Sequence, residues 1–156
     1  MSREDDHAAV TAVHEEYLRL NAITSADGLA RIWSADPRNA YFNLSGHNYR
    51  PLSAWLALWR YYRPRLRHRS PWRSFDREIT VAGDVAWVTC LRTVDAAWIG
   101  DEEDPFTGFG PQTRTRSTEI LRREADGWRV VHAHFSMLAP GVPIPGVDPD
   151  DRLVAR

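Results

Sequence analysis

The first part of the chain shows a helical repeat. From residue 4 to residue 22, apolar and aromatic residues recur every three or four positions, and charged residues occupy positions between them. This spacing is typical of an amphipathic helix. Ser25 suits the N-cap of a short second helix that ends before Pro37. Proline also suits the first turn of a helix, so a third helix is predicted to begin at Pro51. The apolar face of that helix carries Leu52, Trp55, Leu56, Trp59 and Tyr62.

The second part of the chain is typical of β-structure. A short strand is expected at residues 40–44, and longer segments rich in β-branched and aromatic residues follow an arginine-rich connection. Asp126-Gly127 joins the last two segments and predicts a hairpin. Helices followed by an antiparallel meander indicate an α+β protein with helices on one face of a curved sheet. Residues 1–138 are predicted to form one domain, and the proline-rich residues 139–156 an irregular tail.

Composition restricts the classes of function. All 20 basic residues are arginine, so Schiff-base chemistry and a P-loop lysine are excluded. The lysine-free composition also suggests a GC-rich bacterial genome. The net charge of -1 gives no overall attraction to nucleic acid or to an anionic membrane. A single cysteine permits no intramolecular disulfide, and the N-terminus has no apolar signal segment, so we expect a cytoplasmic protein. Seven tryptophans can build a large core or line an apolar pocket.

Two stretches of the chain carry a family resemblance. They are RSTEILRREADGWRVVHAHFS near the end and LARIWSADPRNAYFNLSG near the start. Both resemble the nuclear transport factor 2-like superfamily, especially its SnoaL-like branch, over roughly residues 8–138. The resemblance implies a cone, in which a strongly curved antiparallel or mixed sheet wraps the N-terminal helices and encloses a pocket. It implies no single activity, because the superfamily contains isomerases, cyclases, dehydratases, epoxide hydrolases and non-catalytic assembly domains.

Two members of that superfamily suggest roles for particular residues. In the ketosteroid isomerases, the catalytic aspartate matches Asn43, and an amide cannot abstract a proton. Their catalytic tyrosine falls near Glu16 or Tyr17, and their second acid near Glu119. The calcium/calmodulin-dependent kinase association domain has a pocket arginine in a motif that resembles LRTV, which contains Arg92. It also ends in a stretch similar to DGWRVVHAH.

The histidine pair His132 and His134 admits three interpretations. In a strand the two side chains share one face, opposite Ala133 and Phe135. We expect the histidines to face outward, while Val131, Ala133 and Phe135 point into the cone. Catalysis by His132 is the second interpretation. Metal binding is the third, and no spacing motif nominates a further ligand, so no metal is predicted.

Arg92 is the strongest pocket candidate in the sequence. It lies on an otherwise apolar strand face with Cys90 and Val94, where an arginine needs a carboxylate or an anionic ligand. Glu119 on the next strand is the expected partner. A structural ion pair and a ligand-anchoring role both remain open. Asp76 and Asp95 are weaker candidates for a general base.

These observations favour an enzyme of the SnoaL-like type. It would isomerise, cyclise or dehydrate a small hydrophobic molecule by acid/base chemistry, without a cofactor. The candidate catalytic residues are Tyr17, Arg92, Glu119 and His132, with His47 as an alternative base. The candidate substrate-binding residues are Trp33, Asn43, His47, Trp55, Trp59, Tyr62, Phe75 and Phe135.

The sequence leaves two other classes of function to consider. A non-catalytic ligand-binding or assembly domain is the main alternative, supported by Asn43 and by the similarity to the kinase association domain. The arginine run from Arg60 to Arg73 is interleaved with aromatic residues, which suggests nucleic acid, but the near-zero net charge argues against it. The expected partners are therefore a small hydrophobic molecule and further copies of the chain, in a homodimer or a higher homo-oligomer. Neither nucleic acid nor a membrane is expected as a partner.

Overall fold

The computed structural model describes residues 3–100 and 114–137. It shows an α+β fold with three N-terminal helices packed on a large curved mixed sheet. The fold class predicted from the sequence is therefore confirmed. The predicted tail at 139–156 and the domain boundary at 138 lie outside the described residues. Within the described ranges, no helix combines the length and the hydropathy needed to cross a membrane.

The three helices follow the sequence signals. They are α1 (Arg3–Ala22), α2 (Ala26–Ile32) and α3 (Leu52–Tyr62). The Ser25 hydroxyl accepts a hydrogen bond from the backbone N–H of Gly28 at 3.1 Å, so the predicted N-cap of α2 is present. In α1 the buried stripe runs through Val10, His14, Tyr17 and Asn21. Ala9 and Val13 are half-buried at its side.

The strands form two sheets. The larger sheet has the order β2-β1-β8-β7-β5-β4, in which only the β1–β8 pair is parallel, and the smaller sheet pairs β3 with β6. The strands are β1 (Ala40–Phe42), β2 (Asn48–Tyr49), β3 (Leu66–His68), β4 (Arg73–Ala82), β5 (Val85–Thr93), β6 (Ala96–Trp98), β7 (Arg114–Glu124) and β8 (Gly127–Met137).

The arginine-rich connection is partly β-structure, which the sequence did not predict. It contains β3, in which Leu66 is buried opposite Trp98. Leu66 packs with Val94 and Ala96 in a small second core. The burial of Leu66 therefore accompanies the pairing of β3 with β6.

The concave face of the large sheet is covered by the helices. On this face, paired residues of neighbouring strands form rows that run across the sheet. The row at the apolar end consists of Val81, Ala86, Leu121 and Val130, from β4, β5, β7 and β8. These residues join the main hydrophobic core with the helices. At the opposite end of the same strands the rows contain polar side chains, and the candidate site lies there.

Two β-bulges change which residues face the core. In β4, Phe75 pairs with Leu91 but Glu78 pairs with Thr89, so β4 has one extra residue there. Ile79 and Val81 face inward, opposite Val88 and Ala86, but the bulge reverses the alternation before them. Phe75 is 41% exposed, and its predicted inward orientation is therefore wrong.

The second bulge lies in β8. Ile120 of β7 pairs with His132, whereas Leu121 pairs with Val130, so Val131 is the extra residue. Val130 is fully buried, while Val131 is only half-buried. Ala133 and Phe135 are buried as expected, but Val130 takes the inward place predicted for Val131.

Candidate functional site

The polar end of the concave face forms two rows of side chains. In one row, Ser74 of β4 pairs with Arg92 of β5, and Arg92 pairs with Thr115 of β7. In the next row, Cys90 pairs with Ser117. Strand register therefore gathers hydroxyl, thiol and guanidinium groups beneath α1.

Arg92 and Glu119 form an ion pair at the centre of this cluster. Both side chains have no exposed surface, and Arg92 Nη2 contacts Glu119 Oε1. The expected pairing of these two residues is confirmed. The guanidinium lies over two aromatic rings, 4.8 Å from the centroid of Tyr17 and 5.2 Å from that of Phe135. Arg92 Nε and Nη1 have no hydrogen-bond partner among the described residues.

His14 links the ion pair to the edge of the cluster. Its Nδ1 lies 3.0 Å from Glu119 Oε2, and its Nε2 lies 3.1 Å from the Ser74 hydroxyl oxygen. Burial lowers the pKa of His14, and the charge of Arg92 acts in the same direction, against a hydrogen bond with Cys90. The imidazole is therefore neutral near pH 7. With a carboxylate at Nδ1, the favoured tautomer carries its proton there and leaves Nε2 as an acceptor.

Cys90 is a second perturbed group in the same place. Burial opposes ionisation of its thiol, but hydrogen bonds to His14 and Ser117 and the charge of Arg92 outweigh burial, so the pKa of Cys90 falls to about 7. The sulfur lies 3.1 Å from the Ser117 hydroxyl oxygen. Perturbed groups of this kind cluster at functional sites.

Tyr17 faces the cluster from α1. Burial raises the pKa of Tyr17 to about 12, against the opposing charge of Arg92. Its phenol therefore stays protonated at neutral pH and can donate a hydrogen bond. The ring packs edge-on against Trp33, with 5.2 Å between centroids, and tilts against Phe135 at 6.3 Å.

An aromatic wall stands beside these polar groups. Trp55 lies 5.6 Å from Trp33, 5.7 Å from Trp59 and 6.5 Å from Phe135, measured between ring centroids. All four are buried in the main core. These predicted substrate-binding residues therefore lie together next to Arg92, as part of the cone interior.

Three other predicted binding residues lie at one side of the cone. Asn43 and His47 are in the turn between β1 and β2, and the Asn43 N–H donates to the His47 carbonyl at 3.0 Å. His47 is exposed, and its Nδ1 lies 3.1 Å from the Ser45 hydroxyl oxygen. Tyr62 is half-buried on α3, where burial raises its pKa against a hydrogen bond with Asn43. Among the described residues, the ion pairs and hydrogen bonds of Arg92 and Glu119 involve none of these three.

The structure separates His132 and Phe75 from the polar cluster. The ring of His132 packs against Phe42 at 5.0 Å, and its Nδ1 lies 2.7 Å from the Ala40 carbonyl oxygen. His134 is exposed on the same outer face and packs against Phe42 at 5.6 Å. Strand alternation puts these rings opposite Ala133 and Phe135, so a catalytic role for His132 inside the cone does not fit its position. Phe75 is displaced outward by the β4 bulge.

Sequence reasoning missed His14 and Ser74. His14 falls four residues after Val10 and three before Tyr17, so the helical spacing did contain the signal for its burial. Ser74 had no such signal, because its inward orientation depends on the bulge. Cys90 was recognised only as a neighbour of Arg92 on the strand.

Two clefts open along the side of α1. One, of about 520 Å³, lies between α1 and the bulged part of β4 and includes Ser74 in its lining. The other, of about 620 Å³, lies between the end of α1 and the β3–β4 connection and is lined partly by Leu18, Ile23 and Trp72. The first cleft therefore reaches Ser74, which His14 connects to Glu119.

Comparison with solved structures supports the fold. A candidate dehydratase of the NTF2-like family from Streptomyces avermitilis superposes with a TM-score of 0.70 at 18% identity, over 88% of this chain and 99% of that one. A ketosteroid isomerase-like protein from Erwinia carotovora atroseptica gives 0.69 at 12% identity, over 86% and 98%. A candidate calcium/calmodulin-dependent protein kinase type II association domain from Thiobacillus denitrificans gives 0.63 at 23% identity, over 83% and 94%. A likeness at these identities concerns the fold alone.

The sequence itself identifies the family. A search of curated proteins finds no match. The family model of the SnoaL-like domain matches residues 10–140, which is most of the chain. The chain therefore belongs to the SnoaL-like family.

Proposed function

We propose that this protein is an enzyme that carries out proton-transfer chemistry on a small hydrophobic molecule in the cone. The proposed reaction class is isomerisation, cyclisation or dehydration, with side chains as the only acid and base groups. Structural neighbours described as a candidate dehydratase and as ketosteroid isomerase-like are consistent with this class. We further propose a cytoplasmic location.

The observation that carries the proposal is the state of Arg92. It is fully buried, it neutralises Glu119, and two of its nitrogens have no hydrogen-bond partner among the described residues. Thr115, its neighbour across the ladder, also has a buried hydroxyl without a described partner. Unpaired buried donors are costly, so native proteins rarely keep them without a ligand or water. A substrate oxygen would satisfy them.

The geometry suggests a division of labour. Arg92 and the protonated Tyr17 can hold a carbonyl oxygen as negative charge develops on it, since preorganised donors stabilise such charge strongly. Glu119 can take the proton from the neighbouring carbon, and its second oxygen is already in contact with His14. Trp33 and Phe135 would pack against the flat apolar part of the substrate.

A deuterium-exchange assay tests this reaction class without knowledge of the natural substrate. Enolisable bicyclic and steroid-like ketones are incubated with the protein in D2O, and deuterium at the carbon next to the carbonyl is followed by mass spectrometry. We expect catalysed exchange with the wild type, reduced about 10²–10⁴-fold in Glu119→Gln, which keeps the shape and removes the base.

The matched control is His134→Ala, which removes an exposed side chain on the outer face. It should exchange like the wild type, and Arg92→Met should behave like Glu119→Gln. Equal rates for the wild type and both site variants, with cooperative unfolding retained, would contradict the proposal.

A second candidate function is non-catalytic assembly, with a second copy of the chain as partner. The convex face of the sheet carries large apolar side chains that are exposed, namely Phe75 at 41%, Val85 at 43% and Trp87 at 40%. A face of this kind is suited to a homodimer interface. Light scattering of the wild type and of Trp87→Arg tests it. We expect a dimer or larger species for the wild type and a monomer for the variant, and a monomeric wild type would contradict the proposal.

A further inference from the structure

Ser74, His14 and Glu119 form a continuous chain of contacts. The Ser74 hydroxyl oxygen lies 3.1 Å from His14 Nε2, and His14 Nδ1 lies 3.0 Å from Glu119 Oε2. The imidazole stands between a hydroxyl and a carboxylate, with a different nitrogen facing each. This is the arrangement that activates a serine nucleophile, and it is recognised by geometry whatever the order of its members in the sequence.

The charges around His14 suit that role. Burial keeps the imidazole neutral, so Nε2 can accept the serine proton. Glu119 can then stabilise the imidazolium that forms. Arg92, in contact with the other oxygen of Glu119, fixes the carboxylate in place. Two other groups affect the pKa of His14: the Cys90 thiol raises it and the Arg77 guanidinium lowers it.

Ser74 is the member of the chain that solvent can reach. It is half-buried and lines the cleft of about 520 Å³ between α1 and β4, whereas His14 and Glu119 have no exposed surface. The cleft is lined by Leu18 and by charged residues of both signs, since Glu15 and Asp76 stand beside Arg73 and Arg77. Arg77 Nη1 lies 3.2 Å from Glu15 Oε1, which leaves Arg73 as the cation of the cleft with no carboxylate partner among the described residues.

The β4 bulge turns Ser74 towards His14. Asp76, two residues after Ser74, has a positive φ of 47°, a conformation that is uncommon and strained for a residue other than glycine. Asp76 and Arg77 stand outside the paired ladder positions of β4 and β5. Such a bulge leaves main-chain groups unpaired and re-aims the neighbouring side chain.

We propose that Ser74 is the nucleophile of an acyl-transfer site in this cleft, a second activity beyond proton transfer in the cone. The substrate class is an ester with a short apolar acyl group, which Leu18 would contact. The Arg73 guanidinium or a main-chain N–H of the bulge would face the carbonyl oxygen.

The reaction balances with water as the second reactant. Ser74 Oγ bonds to the ester carbonyl carbon while its proton passes to His14 Nε2. The bond to the leaving alkoxide then breaks, and the alkoxide takes that proton. Water next attacks the acyl-serine and gives a proton to His14, and the acid departs as Ser74 recovers its proton. The products are a carboxylic acid and an alcohol, and every group of the protein returns to its starting state.

Covalent labelling provides the decisive test. The purified full chain is treated with an alkyl fluorophosphonate, which reacts with activated serines, and the modified peptide is identified by mass spectrometry. We expect stoichiometric modification at Ser74 and a parallel loss of hydrolysis of p-nitrophenyl butyrate. No label, or label at another residue, would overturn the proposal.

Two variants sharpen the result. Ser74→Ala should abolish labelling and lower ester hydrolysis at least 100-fold, while Ser70→Ala, an exposed serine in the neighbouring cleft, should leave both unchanged. Hydrolysis that persists in Ser74→Ala also overturns the proposal. Labelling at Ser74 and deuterium exchange in the cone are separate readouts, so failure of one proposal is distinguishable from failure of the other.

Discussion

The ion pair between Arg92 and Glu119 leads to a quantitative prediction about stability. Both side chains are fully buried, so removing one charge leaves the other in the core without its counterion. Such a loss costs about 3–5 kcal/mol, which is a large part of the 5–15 kcal/mol typical of a domain. Arg92→Met and Glu119→Gln should each show a loss of this size in the free energy of unfolding. Glutamine retains an oxygen that can accept from His14.

The double variant measures the coupling energy between Arg92 and Glu119, apart from the contribution of each side chain alone. If the two losses were independent, Arg92→Met/Glu119→Gln would cost about 6–10 kcal/mol. Because the double variant buries no unpaired charge, we expect it to cost no more than either single variant, which corresponds to a coupling energy of about 3 kcal/mol or more. Urea unfolding followed by tryptophan fluorescence measures all four proteins.

A surface pair in the same chain is the matched control. Arg19 contacts Glu16 at 2.7 Å, with the two side chains 58% and 37% exposed. The same cycle there should give a coupling energy of about 0.2–1 kcal/mol. Additive losses at Arg92 and Glu119, or coupling no larger than at the surface pair, would refute this account of the core.

Three further predictions concern stability. Burial lowers the pKa of His14 below its ordinary value of 6.5, so the unfolded chain binds a proton there at a higher pH than the folded chain does. The free energy of unfolding should therefore fall as pH drops below about 6.5, and His14→Gln should weaken that dependence; an unchanged dependence in the variant would contradict this role of His14. Ser25→Ala should lower the free energy of unfolding by about 0.5–2 kcal/mol in urea, because the Gly28 N–H loses its acceptor; an unchanged midpoint would contradict the capping role. Gly28→Ala should destabilise by about 1–3 kcal/mol in thermal unfolding, since the added carbon would overlap the buried Leu20 side chain, and a stabilised variant would show that the gain in helix propensity wins.

Much of the fold could be predicted from local patterns. The last hairpin has a strong turn signal at Asp126-Gly127, and the structure has a hairpin there, with β8 beginning at Gly127. The Ser25 cap likewise depends only on neighbouring residues. Arg92 and Glu119 were predicted to pair because a charge on an apolar strand face has few ways to be satisfied.

The remainder depends on features that alternation cannot reveal. A bulge adds one residue and reverses the faces before it, which is why Phe75 was assigned inward and Ser74 was overlooked. His14 lies 105 positions from Glu119 in the chain, so only the packing of α1 on the sheet brings them together. β3 was not predicted because arginines surround Leu66 and mask the apolar pattern of a strand. Its partner β6 is also distant in the sequence, so no local turn signal indicates the pairing.

The bulge in β4 also affects how this chain should be compared with its relatives. An unbulged strand of the same sheet needs one residue fewer between the positions that face Arg92 and Val88. A gap-free alignment across this strand would therefore match Ser74 with an outward-facing residue, and every position before the bulge would be shifted in the same way. A one-residue gap placed at Asp76 or Arg77 restores the correspondence. Only alignments with that gap can show whether other family members keep a hydroxyl beside the buried histidine.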